Sequence, residues 1–199
     1  MIEGRTPRAR YQSSEITGGL GHPLLFGFAP AQDFGPWPDG GGYPHGFLSH
    51  AYKTLRVNDP DRVLHICSGS MQRGVRIDIR ASAQPTVRAD ARRLPFRDSS
   101  FDAIMADPPY GADYADTLYG TRDDYPSPGL IAREAARVLR PGGFFGILHF
   151  LIPHAPLQYV RSWGVMTGLG YAIRAWSVYH KPVAPGLFAS ILEGGEDDR

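Results

Sequence analysis

From about residue 43 onward, apolar residues fall in two alternating rhythms. Phe47, Leu48, Ala51, Tyr52 and Leu55 recur at the spacing of one helix face, just after Pro44. Short Val/Ile-rich runs follow, each closed by Gly, Pro or Asp. "RVLHIC", "VRIDI", "TVRAD" and "FDAIMAD" carry the pattern of buried parallel strands. "PSPGLIAREAARVLRPGG" predicts a helix with Ile131, Ala135, Val138 and Leu139 on one face and a Pro-Gly-Gly stop. "FFGILHF" reads as another strand, residues near 156–168 as a helix, and "YAIRAWSVYHK" with "LFASILE" as a closing pair of strands. Residues 1–42, rich in Gly, Pro and single aromatics, follow neither rhythm and read as an irregular arm. The pattern thus divides the chain into that arm, one domain over 43–193, and an acidic tail over 194–199.

Alternating strands and helices imply an open, mostly parallel α/β sheet, and such sheets bind ligands at the carboxyl ends of their strands. Between the first two strands, Ser70 to Arg73 leave little room for a helix, so the crossover there is expected to be trimmed. At 199 residues, 42% hydrophobic and 21% charged, the composition suits one soluble domain with a substantial core. "FFGILHFLI", the longest apolar stretch, is interrupted by His149 and too short to span a bilayer, so no membrane association is expected. "MIEGRTPRAR" lacks an apolar leader, and its "IEGR" coincides with a protease site used in expression vectors. Cys67 is the only cysteine, which excludes an intrachain disulfide and suits a reducing cytoplasm. The histidines show no ligand spacing with Cys or acids, so no metal is expected.

Net charge is +1, but its distribution is uneven. Arg73, Arg76, Arg80, Arg88, Arg92, Arg93 and Arg97 share their stretch with only Asp78 and Asp90. Such a run is either a phosphate-facing surface or a solvated set of strand ends.

The residues suited to chemistry cluster at strand ends. Cys67, Ser68, Gly69 and Ser70 follow the first strand, Asp78 lies near the end of the second, Asp90 ends the third and Asp107 the fourth. A small-residue turn admits close backbone approach, and acids there can accept ribose hydroxyls or a base amino group.

"VLHICSGS", "RIDI", "RADARRLPFRDSSFDAIMADPPY" and "REAARVLRPGGFFGILHF", in this order, resemble class I S-adenosylmethionine-dependent methyltransferases, specifically the amino-methyltransferases with an Asp-Pro-Pro-Tyr motif. The resemblance covers about residues 43–193. It implies a single Rossmann-like methyltransferase domain, with a mostly parallel seven-stranded sheet and a closing antiparallel strand. It also implies S-adenosylmethionine as cofactor, bound around His65, Cys67, Ser68, Gly69, Ser70, Asp78, Asp90 and Ala91. In it Asp78 matches the ribose-binding acid, Asp90 the adenine-binding one, and "YPHGF" the segment that helps close the methionine side. The first motif departs from the pattern, with His65 in place of an acid and Met71 in place of the last glycine.

Asp107, Pro108, Pro109 and Tyr110 are the expected catalytic residues. The Asp107 carboxylate and Pro108 carbonyl would each accept one N–H of an exocyclic amine and aim its lone pair, with Tyr110 stacked on the base. Proline fixes φ and removes competing donors. Tyr114, Tyr119 and Tyr125 are candidates for stacking or for a lid. The expected substrate is a nucleobase amine, adenine in DNA before RNA, flipped or single-stranded. An RNA base, cytosine N4 or a protein glutamine amide stays open, as does a non-catalytic binding subunit. With no separate recognition domain in evidence, a protein partner could supply target specificity.

Overall fold

In the computed structural model the described residues are 43–44, 46–165 and 173–183, with a two-residue antiparallel pair, Ile16–Thr17 with Pro23–Leu24. The remainder of the arm, the tail and the expected strand "LFASILE" lie outside them. Seven strands form one sheet: β1 (Leu64–Ile66), β2 (Val75–Asp78), β3 (Val87–Arg88), β4 (Phe101–Ala106), β5 (Leu139–His149), β6 (Gln158–Val165) and β7 (Arg174–His180). Their order is β3-β2-β1-β4-β5-β7-β6, and only β7 runs against its neighbours. Among the described residues three α-helices accompany them: α1 (Phe47–Thr54), α2 (Ala112–Tyr119) and α3 (Pro128–Val138).

Alternation along the strands produces two cores. Leu64, Ile66, Ile104, Ala106, Phe145 and Ile147 face α3 and its Ile131, Ala135 and Val138. Val63, Met105, Leu148, Trp176 and Val178 face α1 and its Phe47 and Ala51. Side chains two apart share a face, so continuous apolar runs supply both sides of the sheet. Trp176 is fully buried, meets Phe47 edge-on at 5.0 Å and donates its indole N–H to Thr54 Oγ1 at 2.9 Å. Beneath it Gly146 is obligatory, since a Cβ there would overlap the indole ring. Lys181 Nζ donates to the carbonyls of Ala136 and Leu139, filling acceptors that the end of α3 leaves open.

The trimmed crossover is present: residues 67–74 link β1 to β2 with a turn in place of the helix that parallel strands usually require. Two sequence expectations are corrected. Residues 158–165 form β6 rather than a helix. Tyr159, Val160, Trp163 and Val165 are strand formers, and pairing with β7 from Gln158 opposite His180 to Val165 opposite Arg174 decides their conformation. Leu139, expected on the helix face before a Pro-Gly-Gly stop, instead opens β5, which runs through Pro141–Gly143. The segment after "DPPY" holds α2, which ends at Gly120 in the left-handed region.

Candidate active site

The carboxyl ends of β1, β2 and β4 converge with the loop after β3, because parallel strands starting from one edge finish together. Cys67 and Gly69 both take positive φ, folding the chain back so that Ser68 N–H donates to Ile77 O at 2.9 Å and Gly69 N–H to Asp78 Oδ2 at 3.1 Å. Ser68 is buried, and its hydroxyl has no hydrogen-bond partner among the described residues.

Asp78 and Asp90 are held alike by the arginine two residues on. Arg80 donates its backbone N–H and Nε to Asp78 Oδ1 (2.9 and 3.0 Å) and Nη2 to Oδ2 (3.1 Å). Arg92 donates its backbone N–H to Asp90 Oδ1 at 2.8 Å, and its guanidinium grips both oxygens. Burial pushes the Asp90 carboxyl up, but its bonds from Arg92 prevail and leave it below the usual range. Arg92 also reaches Asp124 Oδ1 (2.9 Å) and Asp123 O (3.2 Å), tying the β3 loop to the segment beyond α2. Ala91, between the paired residues, is buried.

Asp107 follows β4, its backbone N–H donating to Ile66 O at 3.3 Å. It is partly exposed as a residue, with its carboxyl turned inward. Burial raises that carboxyl to about 7, against the lowering effects of the Tyr110 hydroxyl, which donates to Oδ1 at 2.9 Å, and of the Arg174 charge. Tyr110 does not present an open ring: Arg174 sits over it with Cζ 4.6 Å from the centroid, and Phe150 packs at 4.6 Å. His149, fully buried at the end of β5, supports the motif, edge-on to Tyr110 at 5.6 Å. Its Nδ1 accepts the Leu151 N–H at 2.9 Å. Burial lowers its pKa, opposed by the Pro109 carbonyl.

His65 lies mid-strand, away from the strand ends, with Tyr43 and Tyr52 edge-on at 5.8 and 6.4 Å. Burial, then Arg76, lowers it to about 4, so the ring is neutral. Nδ1 lies 3.5 Å from Tyr43 Oη, and Tyr43 feels the Asp107 charge. Among the described residues His65 thus touches Tyr43, which in turn faces Asp107. Tyr114, 49% exposed, flanks Tyr110 and Phe150; Tyr125 is partly exposed, and the Tyr119 side chain lies outside the described residues. Arg174 and Phe150 were not legible as site residues, since each is one member of an apolar strand or its end.

A sheet in this order, with acids at or just beyond successive strand ends, is that of a Rossmann-like S-adenosylmethionine-dependent methyltransferase. The chain belongs to the family described as "Methyltransferase domain", whose model matches residues 40–147. A demethylmenaquinone methyltransferase of Clavibacter sepedonicus is 37% identical over 102 residues, 51% of this chain but only 31% of that protein. The crystal structure of TrmN from Thermus thermophilus superposes with a TM-score of 0.50 at 18% identity, covering 71% of this chain and 50% of that one. No helix among the described residues is long and apolar enough to cross a membrane.

The methyl donor of this family is S-adenosylmethionine, and the residues present fit it with one condition. The unpartnered Ser68 hydroxyl and the Cys67–Ser70 turn offer polar groups to it, and Asp90 an acceptor. Asp78 has about four lone-pair sites. Gly69 and Arg80 already supply four donors, so ribose hydroxyls bond there only once the Arg80 guanidinium gives way.

Proposed function

We propose that this chain methylates the exocyclic amino group of a nucleobase, adenine in DNA, using S-adenosylmethionine held by Ser68, Gly69, Asp78, Asp90 and Ala91. When bound, the cofactor supplies an electrophilic methyl group on a sulfonium centre. The observation that carries the reading is the Asp107–Tyr110 arrangement at the end of β4. Tyr110 occupies Oδ1; Oδ2 and the Pro108 carbonyl are the acceptors for the two N–H groups in this reading. Neither proline has an N–H to compete. A carboxyl raised to about 7 suits stabilising the charge that develops on nitrogen and taking its proton near neutrality. With Arg174 over Tyr110, the base stacks against the guanidinium or displaces it.

The Clavibacter relative favours a second reading, methylation of a demethylquinone-type small molecule in its reduced form. The two separate when the protein is incubated with methyl-labelled cofactor and, in parallel, DNA, RNA, protein and a demethylquinol. Label in adenine of DNA is expected; label confined to the quinol overturns the amine reading. Asp107→Ala is expected to abolish transfer while calorimetry finds cofactor affinity within a few fold.

A further inference from the structure

The arginine run resolves into partnered and unpartnered members. Arg73 pairs with Asp61, Arg76 donates to the carbonyls of Met71 and Gln84, Arg80 holds Asp78, Arg88 donates to Ile79 O, and Arg92 holds Asp90 and Asp124. Arg93 and Arg97 remain: both are exposed, and neither guanidinium has an ion pair or hydrogen bond among the described residues.

These two line a cleft of about 540 Å³, floored by Leu94, Pro95 and Phe96 and backed by α3. Its back wall is a hydrogen-bonded network in which one guanidinium meets two carboxylates. Arg137 binds Glu134 at 2.8 Å and Asp98 at 2.9 Å and donates to the carbonyls of Leu94 (2.9 Å) and Phe96 (2.7 Å). Glu134 also accepts the Leu94 N–H at 2.8 Å. The Phe96 ring is braced edge-on against Phe101 at 4.9 Å and remains partly exposed. Two guanidiniums with no ion pair or hydrogen bond among the described residues thus flank an aromatic and a proline on a loop tied to α3, Arg93 within reach of the Glu134 charge. The loop leaves Arg92, which itself clamps the segment downstream of the catalytic motif.

We infer that this cleft is a phosphodiester-binding site for single-stranded nucleic acid, with Arg93 and Arg97 each taking one phosphate and Phe96 a sugar or base face. The inference rests on the nucleobase reading of the active site. Charge supports the direction of the strand: the segment from Asp113 to Asp124 carries four acids, Asp113, Asp116, Asp123 and Asp124, offset by Arg122 and by Arg92 at Asp124, so it stays net negative and a polyanion passes along the 93–97 side.

The test is titration of a fluorescent single-stranded DNA oligomer at several salt concentrations, with wild type, Arg93→Gln/Arg97→Gln, and Arg133→Gln as a control. Each phosphate contact on a single strand contributes about 0.7 to the slope of log affinity against log salt, so the double variant is expected to lose about 1.4, equally for any sequence. Calorimetric affinity for S-adenosylmethionine and thermal stability are expected to be little changed, because both arginines are exposed and make no ion pair or hydrogen bond among the described residues. An unchanged slope and affinity overturn the proposal, as does a polyglutamate peptide displacing the oligomer as well as unlabelled DNA does. Failure of the nucleobase reading is distinct: the wild type then methylates neither DNA nor RNA, whatever the slopes.

Discussion

Replacing Tyr110 with Phe removes one oxygen and tests the electrostatics at the centre of the site. Burial raises the Asp107 carboxyl to about 7; the Tyr110 hydroxyl and Arg174 hold it down. Tyr43 and Cys67 also face it, both uncharged near neutrality because burial and the Asp107 charge raise their own pKa values. A hydrogen bond to a charged group contributes about 1.5–3 kcal/mol, and one pKa unit is about 1.4 kcal/mol, so Tyr110→Phe should move the carboxyl up by about one to two units, to about 8–9. The assay is single-turnover methyl transfer at saturating cofactor from about pH 5.5 to about 9.5, where a required carboxylate gives an acid limb that bends at its pKa. The wild type is expected to bend near 7 and the variant one to two units higher, with plateaus within a few fold. ¹³C NMR of the labelled Asp107 carboxyl gives the same titration without turnover. A bend left in place while the plateau falls would refute the reasoning, since Tyr110 would then act on substrate and not through Oδ1.

Further perturbations probe the supporting structure. Arg174→Met is expected to raise the same acid limb, and Arg174→Lys to restore it in part; an unmoved limb in the Met variant places Arg174 outside the electrostatics of Asp107. Arg80→Met leaves Asp78, only 5% exposed, without its cation. Breaking a buried pair costs about 3–5 kcal/mol, so the melting temperature should fall, and cofactor should recover more of it than in wild type because ribose meets an open carboxylate. Gly146→Ala forces a methyl into the Trp176 indole and should cost about 1–3 kcal/mol in chemical denaturation, relieved in Gly146→Ala/Trp176→Leu. Asp107 and His65 oppose each other in acid. The raised Asp107 loses its stabilisation as pH climbs through about 7, whereas the lowered His65 loses its own as pH falls from about 6.5 to about 4. Asp107→Asn should therefore convert a shallow stability profile between about pH 4 and 7 into one that rises with pH.

What the sequence disclosed and what it hid have separate physical causes. Asp78, Asp90 and Asp107 were legible because each terminates or closely follows its own apolar run, and the parallel topology alone brings those ends together. The missing crossover helix was legible for the same local reason, as too few residues separate Ile66 from Val75. Strand β6 was not, because its conformation comes from backbone pairing with β7 and its own pattern is ambiguous. Arg174 was hidden more deeply. It opens a strand more than sixty residues after Asp107, and only antiparallel packing of β7 on β5 carries it to Tyr110.

The same logic governs the arginine run. Along the chain all seven residues look alike, and what separates them is whether the fold returns an acceptor to each. Asp61, just before β1, returns to Arg73 in the β1–β2 crossover, and Asp124 returns to Arg92 from beyond α2. No acceptor returns within ion-pair or hydrogen-bond distance of Arg93 or Arg97 among the described residues; Glu134 feels the charge of Arg93 but is itself bonded to Arg137 and the Leu94 N–H. Charge that the fold has already neutralised is scaffold, because drawing it to a ligand means breaking an existing pair. Arg93 and Arg97 are exposed and make no ion pair or hydrogen bond among the described residues, so contact with a phosphate breaks no existing pair and gains from the counterions that the polyanion releases.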